Sequence, residues 1–293
     1  MERRRGFSLS AVKMKFSALI EQDCEARMSQ EPPCHSSKLY PMALKQSLLT
    51  LSGALGYTIL KTRSNMTVLM DLVNHLYPDR PILFIDGGTN SGQTILDLNQ
   101  VLAKSKSKVN VEALSFEPVR SNYEALINNA KTCHHIDVKT YPIGLSDAET
   151  TFELNLAPHS YNHSIANNEL YADSGLGREV IQLKTIDQLL SHRDLSNVLV
   201  IVKLNIEGHE LQAIKGAEQL INSGQDMIFM VEVTFDPNNK QHAFFTDIFV
   251  HMSARGFVCS QMIEVTPSFD RDHRYKPAIA HLNVVFCRQR PPG

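Results

Sequence analysis

Asp86, Gly88, Asn90 and Gly92 stand two residues apart in the stretch Ile82 to Gln93, which reads ILFIDGGTNSGQ. Ile82 to Ile85 form a short apolar strand signal that ends at Asp86. Gly87, Gly88 and Gly92 then precede a helix-forming run from Gln93 to Leu102. Strand, tight glycine turn and helix start make the geometry that cradles a nucleotide. Glycines let the backbone approach a ligand closely, and an acid at the strand end accepts hydrogen bonds from its amino or hydroxyl groups. The glycine register narrows the ligand. A dinucleotide fingerprint needs GxGxxG, but Thr89 occupies the middle position, and no GK[ST] follows to make a phosphate-binding loop.

A second acid, Glu117, closes the next strand in Ser115-Phe116-Glu117-Pro118. An ionised carboxylate there can take both hydroxyls of a ribose. A ligand amino group near Asp86 and a ribose near Glu117 describe S-adenosylmethionine better than a nicotinamide dinucleotide. A third stretch, Val198 to Glu210 (VLVIVKLNIEGHE), is a buried strand breaking into Ile206-Glu207-Gly208-His209-Glu210, and Lys215-Gly216-Ala217 follows.

FIDGGTNSGQ, FEP, GLSD at Gly144 to Asp147, TIDQLL at Thr185, and IEGHE with KGA together resemble the FkbM family of methyltransferases over Pro81 to Glu232, about half the chain. The resemblance implies a class I methyltransferase Rossmann-like α/β fold. Its sheet would be mostly parallel and seven-stranded, with helices on both faces and a final antiparallel strand at His281 to Phe286. It also implies an enzyme that uses S-adenosylmethionine, most often to methylate hydroxyls of sugars, glycans or small natural products. Carried over, Asp86, Gly87, Gly88, Asn90, Gly92 and Gln93 belong to the methionine-side loop. Glu117 and Pro118 fall at the ribose, and Ile143 to Ser146, with Gly144, near the adenine. One position departs from the family: Asn205 stands where Asp is usual before the IEG step. Asn keeps the shape and an acceptor oxygen but loses the charge, so a catalytically impaired scaffold or regulator is the alternative reading. Thr89 argues against a further rival, a nicotinamide-dependent oxidoreductase.

Methyl transfer from a sulfonium is an in-line displacement that needs the acceptor oxygen aligned at about 3 Å and its proton removed. His209 suits a general base, because its ordinary pKa lies near 6.5. Glu207 can bind the cofactor amino group, orient His209 or contact substrate, and Asn205 completes the catalytic candidates. Glu210 reads as a favourable charge at a helix N-terminus. His159 and His163 have metal-like spacing but lack a completing Cys or Asp; with Tyr161 and Asn162 they read better as substrate contacts. No metal site is expected.

These residues need a scaffold, and the chain supplies alternating strands and helices from Pro81 onward, the pattern of a parallel sheet with crossover helices. Expected strands are Ile82–Ile85, Val111–Phe116, Asp137–Tyr141, Val198–Leu204, Met227–Glu232, Val258–Met262 and His281–Phe286. Expected helices are Thr94–Ala103, Arg120–Ala130, His209–Ser223 and Gln241–Ala254, the last with Ala243, Phe244, Ile248 and Met252 on one stripe. Before them, Thr67 to Tyr77 reads as a helix with Val68, Leu72 and His75/Leu76 on one face. The expected organisation is a flexible extension over 1–40, a helical cap over 41–80 and the cofactor-binding domain over 81–290, carrying a substrate-facing insertion at 151–184. The loops Asp236 to Asn239 and Val265 to Ala280 are expected to face substrate as well.

With 43% hydrophobic residues and a formal charge of −2, the 293-residue chain can build a sizeable core and shows no electrostatic footprint for nucleic acid. Its five cysteines are scattered and never in CxxC pairs, which suits buried thiols in a reducing compartment. Ser47 to Leu60 is apolar but shorter than the roughly 20 residues a bilayer crossing requires, so no stable membrane insertion is expected. The expected location is the cytoplasm, with mitochondrial targeting by the basic start MERRR as the alternative, and the expected partner is a small-molecule or glycan acceptor.

Overall fold

The computed structural model describes residues 63–105, 109–159, 163–166, 168–236, 239, 242–269 and 275–288. The extension over 1–40, the apolar stretch Ser47–Leu60, and Tyr161 and Asn162 lie outside these.

Strands buried on both faces read as unbroken apolar runs. That composition builds β1 (Ile82–Gly87), β2 (Val111–Phe116), β7 (Leu199–Leu204) and β8 (Met227–Thr234), which run parallel with β3 (Asp137–Tyr141) in the order β8-β7-β1-β2-β3. A hairpin completes the sheet beyond β8: β11 (Tyr275–Arg288) pairs antiparallel with both β8 and the outer strand β10 (Phe257–Phe269). The expected final antiparallel strand is therefore present. A two-residue strand, β9 (Ala243–Phe244), pairs with β8 and makes the sheet eight-stranded rather than seven-stranded.

Helices cover both faces. Met66, Leu69, Met70 and Val73 of α1 (Asn65–Leu76), Ile95, Leu98 and Leu102 of α2 (Gln93–Lys104), and Leu126 of α3 (Arg120–Ala130) are buried against one face. The other face carries α4 (Ile186–Leu190), α5 (Glu210–Lys215), α6 (Glu218–Asn222) and α7 (Phe245–Ser253). The buried stripe of α1 differs from the expected one, lying one register round the helix, so that Leu76 is exposed. The helix expected over His209–Ser223 is two short helices broken at Gly216-Ala217. Ala243 and Phe244, expected on a helix, form β9 instead, and α7 begins only at Phe245.

The break at Gly216 has a packing cause. A Cβ there would lie 2.0 Å from the Ser146 carbonyl oxygen, so only glycine lets this turn pass the backbone at Ser146. Asp187 ties the same place together: its N–H donates to Gly216 O at 2.9 Å, and its carboxylate accepts from Gln219 N and Leu220 N at 2.8 and 2.9 Å.

The insertion after β3 begins and ends in a strand. β4 (Gly144–Leu145), β6 (Arg178–Lys184) and β5 (Thr150–Asn155) form a second, three-stranded sheet. Its residues Leu154, Ile181 and Leu183 pack on Val119. The stretch Val265–Ala280 is likewise not simply a loop, because β10 continues to Phe269 and β11 starts at Tyr275.

At the carboxyl ends of the parallel strands the apolar core gives way to a polar row. Ser115, Asp86 and Lys203 sit in register across β2, β1 and β7, and all three are buried. Lys203 Nζ lies 3.0 Å from Asp86 Oδ1 and donates to Gly88 O at 3.3 Å.

Two predictions follow from this packing. Gly216→Ala should cost at least about 2 kcal/mol through the clash with Ser146. Gly224→Ala, with φ +77° but open space around it, should cost only about 1 kcal/mol. Urea unfolding distinguishes them, and equal losses would contradict the packing argument. In the second case, burial already holds the Asp86 pKa above its ordinary value despite the Lys203 charge beside it. Lys203→Met removes that charge and raises the Asp86 pKa further, so the native state keeps a proton that the unfolded chain releases near pH 4. Stability of the variant should therefore fall as pH rises from about 5 to 7, reaching a deficit of about 3 kcal/mol against the parent protein at pH 7. A deficit independent of pH would contradict this.

Candidate functional site

The turn after β1 explains its own sequence. Gly88, Asn90 and Gly92 all have left-handed backbone, with φ of 72°, 51° and 95°. Glycine and asparagine are the residues that adopt this conformation at least cost, hence their two-residue spacing. Gly88 is also pressed against the strand beside it, where a Cβ would meet the Asn205 carbonyl oxygen at 1.9 Å. Gly92 then opens α2 without a side-chain cap.

This turn forms one wall of a cavity of about 400 Å³. The polar side is made by Gly88, Asn90 and Gln93 of the turn, by Glu117 and Asn122, and by Lys203, Asn205, Glu207 and His209 around the end of β7. The apolar side is made by Pro118, Val119, Leu145, Leu154, Ile165 and Ile181, so the second sheet contributes a wall rather than a loose flap. Of the cofactor candidates, Gly88, Asn90, Gln93, Glu117, Pro118 and Gly144 line the cavity, as do the catalytic candidates Asn205, Glu207 and His209. Asp86, Gly87, Gly92 and Ser146 do not. Asp86 is fully buried and faces Lys203, which puts the lysine rather than the acid at the cavity wall.

Glu117 holds the turn in place. Its Oε2 accepts from Asn90 N at 2.9 Å, and its Oε1 accepts from Val119 N at 3.0 Å and Asn122 Nδ2 at 3.5 Å. Burial nevertheless outweighs these bonds and raises its pKa to about 7. These bonds take three of the carboxylate's roughly four acceptor sites, and Oε2 keeps one for a ligand hydroxyl. Asn205 presents another acceptor: its Oδ1 is buried and has no hydrogen-bond partner among the described residues. A buried acceptor left open costs free energy unless something fills it.

The IEGHE turn is built around Glu210. Its buried carboxylate accepts from Ile206 N at 2.9 Å, Gly208 N at 3.1 Å and Ala243 N at 3.1 Å. Glu210 is thus the fastener of the turn, a more specific part than a charge at a helix start. The turn lifts Glu207 into left-handed backbone, φ 53°, with its side chain at the cavity. Burial, with repulsion from Glu232 and Glu210, raises the Glu207 pKa to about 8. His209 Nε2 lies 2.9 Å from Ser146 Oγ, whose hydroxyl also reaches Asp147 Oδ1 at 3.2 Å. Burial lowers the His209 pKa, which keeps the imidazole neutral near pH 7 and able to accept a proton.

His163 also lines the cavity, but its Nδ1 accepts the Ala157 N–H at 3.1 Å and burial lowers its pKa. His159 is exposed, and it does not line the cavity. Lys203 and the apolar wall escape sequence reasoning. A single lysine inside an otherwise apolar buried strand is the one signal that could have found the former. Among the described residues no helix is long and apolar enough to cross a membrane.

A family model described as the methyltransferase FkbM domain matches residues 86–259, more than half of the 293-residue chain. No curated protein matches significantly. Among solved structures, the chain is similar to a methyltransferase FkbM from Methylobacillus flagellatus KT, at 16% identity and a TM-score of 0.38. That match covers 70% of this chain and 43% of the other, so the chain spans less than half of that protein's length. A precorrin-6y C5,15-methyltransferase from Geobacter metallireducens GS-15 is similar at 10% identity and a TM-score of 0.36, over 79% of this chain and 94% of the other. A ribosomal protein L11 methylase from Lactobacillus delbrueckii subsp. bulgaricus is similar at 12% identity and a TM-score of 0.35, over 78% and 81%. These likenesses are distant. The family match spans the turn after β1, Glu117, the second sheet, the IEGHE turn and β8, and by it the chain belongs to the FkbM methyltransferase domain family.

Proposed function

We propose that the cavity binds S-adenosylmethionine and that the chain uses it to methylate a hydroxyl group of a sugar, glycan or small natural product. The observation that carries this reading is the convergence of two differently suited acceptors on one cavity. Glu117 Oε2 has a lone pair left for a ribose hydroxyl, and Asn205 Oδ1 is a buried oxygen left open for an ammonium group. The bound cofactor would supply an electrophilic methyl on a sulfonium. In this reading the turn from Gly88 to Gln93 cradles the methionine end, Glu117 holds the ribose hydroxyls, and Pro118, Leu145 and Ile181 enclose the adenine. Asp86 acts one step removed, by fixing Lys203 and with it the carbonyl of Gly88. His209 lines the cavity and serves as the base for the acceptor's proton, while Ser146, outside the cavity, holds the ring through its contact with Nε2.

A second reading, a cofactor-binding protein without turnover, is favoured by Asn205 standing where the family usually carries Asp. Incubation with methyl-labelled cofactor and candidate hydroxylated acceptors separates the two, since the second reading allows binding but no labelled product.

Calorimetry with S-adenosylhomocysteine tests the cofactor assignment. Binding should be detectable and should weaken about 10- to 100-fold in Glu117→Ala. Absence of binding, or an unchanged affinity in that variant, would sink the assignment. The pH dependence has a definite sign. A carboxyl with a pKa of about 7 must lose its proton before it can serve fully as an acceptor for a ribose hydroxyl. Affinity should therefore drop by about tenfold for each pH unit below neutrality and level off above pH 8, and Glu117→Gln should flatten the profile at a lower affinity.

A further inference from the structure

We propose that Glu232, His242 and His281 form a binding site for a divalent first-row transition-metal ion, one that neither the family match nor the cofactor cavity accounts for. The topology brings the three together although 49 residues separate the first from the last. Glu232 lies near the end of β8 with Asn283 of β11 directly opposite, so His281, two residues earlier on β11, falls on the same face. β9 runs parallel along β8 with Ala243 beside Val233, which sets the preceding residue, His242, beside Glu232.

The donor atoms are placed as a ligand set. His281 Nδ1 is 2.8 Å from Glu232 Oε1, and His242 Nδ1 is 3.2 Å from Oε2. The three donor atoms lie within 4.8 Å of one another, and the two imidazoles stack with centroids 4.7 Å apart. His242 Nδ1 is buried and makes no hydrogen bond of proper geometry, despite its short contact with the carboxylate. A metal bound at about 2.0–2.2 Å from each donor would need donor atoms near these separations. Two imidazoles and one carboxylate suit zinc, iron or manganese rather than magnesium or calcium, and they leave coordination positions open.

Glu232 also repels the cavity residue Glu207 electrostatically, although none of the three donor residues lines the cavity itself.

Zinc titration of the chelator-treated full chain, without cofactor, is the test. The expected result is one Zn2+ per chain, with His242→Gln and His281→Gln each weakening it by at least about tenfold and the double variant abolishing it. Each variant should bind S-adenosylhomocysteine as the parent protein does, which separates failure of this site from failure of the cofactor assignment. No stoichiometric zinc, or zinc bound equally by the double variant, overturns the proposal. If the variants fail to fold, the parent protein still decides. Zn2+ should protect His281 from carbethoxylation read by mass spectrometry while leaving exposed His192 reactive. Equal labelling of His281 with and without Zn2+ overturns it.

Discussion

The buried pair of Asp86 and Lys203 is the interaction on which the upper edge of the sheet depends. Two charges at the ends of neighbouring strands are expensive to bury, and each is tolerable only because the other lies 3.0 Å away. Their register, with Ser115 beside them, fixes β2, β1 and β7 relative to one another at the level where the core ends. The lysine also reaches the carbonyl of Gly88, so the pair fixes the glycine turn as well as the strands. Replacing the pair with apolar groups would remove the feature that marks where strand stops and cradle begins. A strand of this composition could otherwise slip by a residue at little apolar cost.

The segments that carry the family resemblance divide between scaffold and cavity. Asp187 and Gly216 never reach the cavity; one caps α6 and bonds the turn, the other makes room for the Ser146 carbonyl. Glu210, in the middle of the IEGHE segment, spends its carboxylate on three backbone N–H groups. Glu117, Asn205, Glu207 and His209 are the cavity's share. Scaffold and cavity residues alternate because a turn that must present Glu207 in left-handed backbone needs a neighbour that locks it there. Glu210 and the glycine at position 208, with φ 97°, supply that lock.

What could be read from the sequence follows from the same division. Local demands were legible: the apolar runs of β1, β2, β7 and β8, the left-handed positions Gly88, Asn90 and Gly92, and the acid closing β2. Non-local demands were not. Gly216 looks like the interior of a helix until Ser146, seventy residues earlier, is known to lie against it. The strand β9 pairs because Ala243 meets Val233, a contact that outweighs the helical look of the segment. Val265 to Ala280 reads as a loop because Pro267, Pro277 and the polar residues between them obscure the alternation that β10 and β11 follow. Lys203 was passed over because one charge in six strand residues barely disturbs a hydrophobic pattern, although it is that charge which sets the edge.

The distribution of charge around the cavity then constrains how it can work. Glu117, Glu207 and Glu210 all have pKa values raised by burial, and Lys203 is the one buried cation among the cavity's lining residues. Such a rim repels anionic acceptors and holds extra protons near neutrality, which suits an acceptor that arrives as a neutral hydroxyl and must lose a proton during reaction. It also favours a cationic ligand, because a sulfonium and an ammonium brought to this rim would stabilise the ionised forms of Glu117 and Glu207. Ligand binding and carboxyl ionisation are therefore coupled, and by linkage each proton released on binding tightens the complex as pH rises. Glu232 differs from these carboxylates because two imidazole nitrogens face it, at 2.8 and 3.2 Å. A divalent cation held by these three groups would add positive charge near Glu207 without any change to the cofactor cradle, because none of its donors lines the cavity.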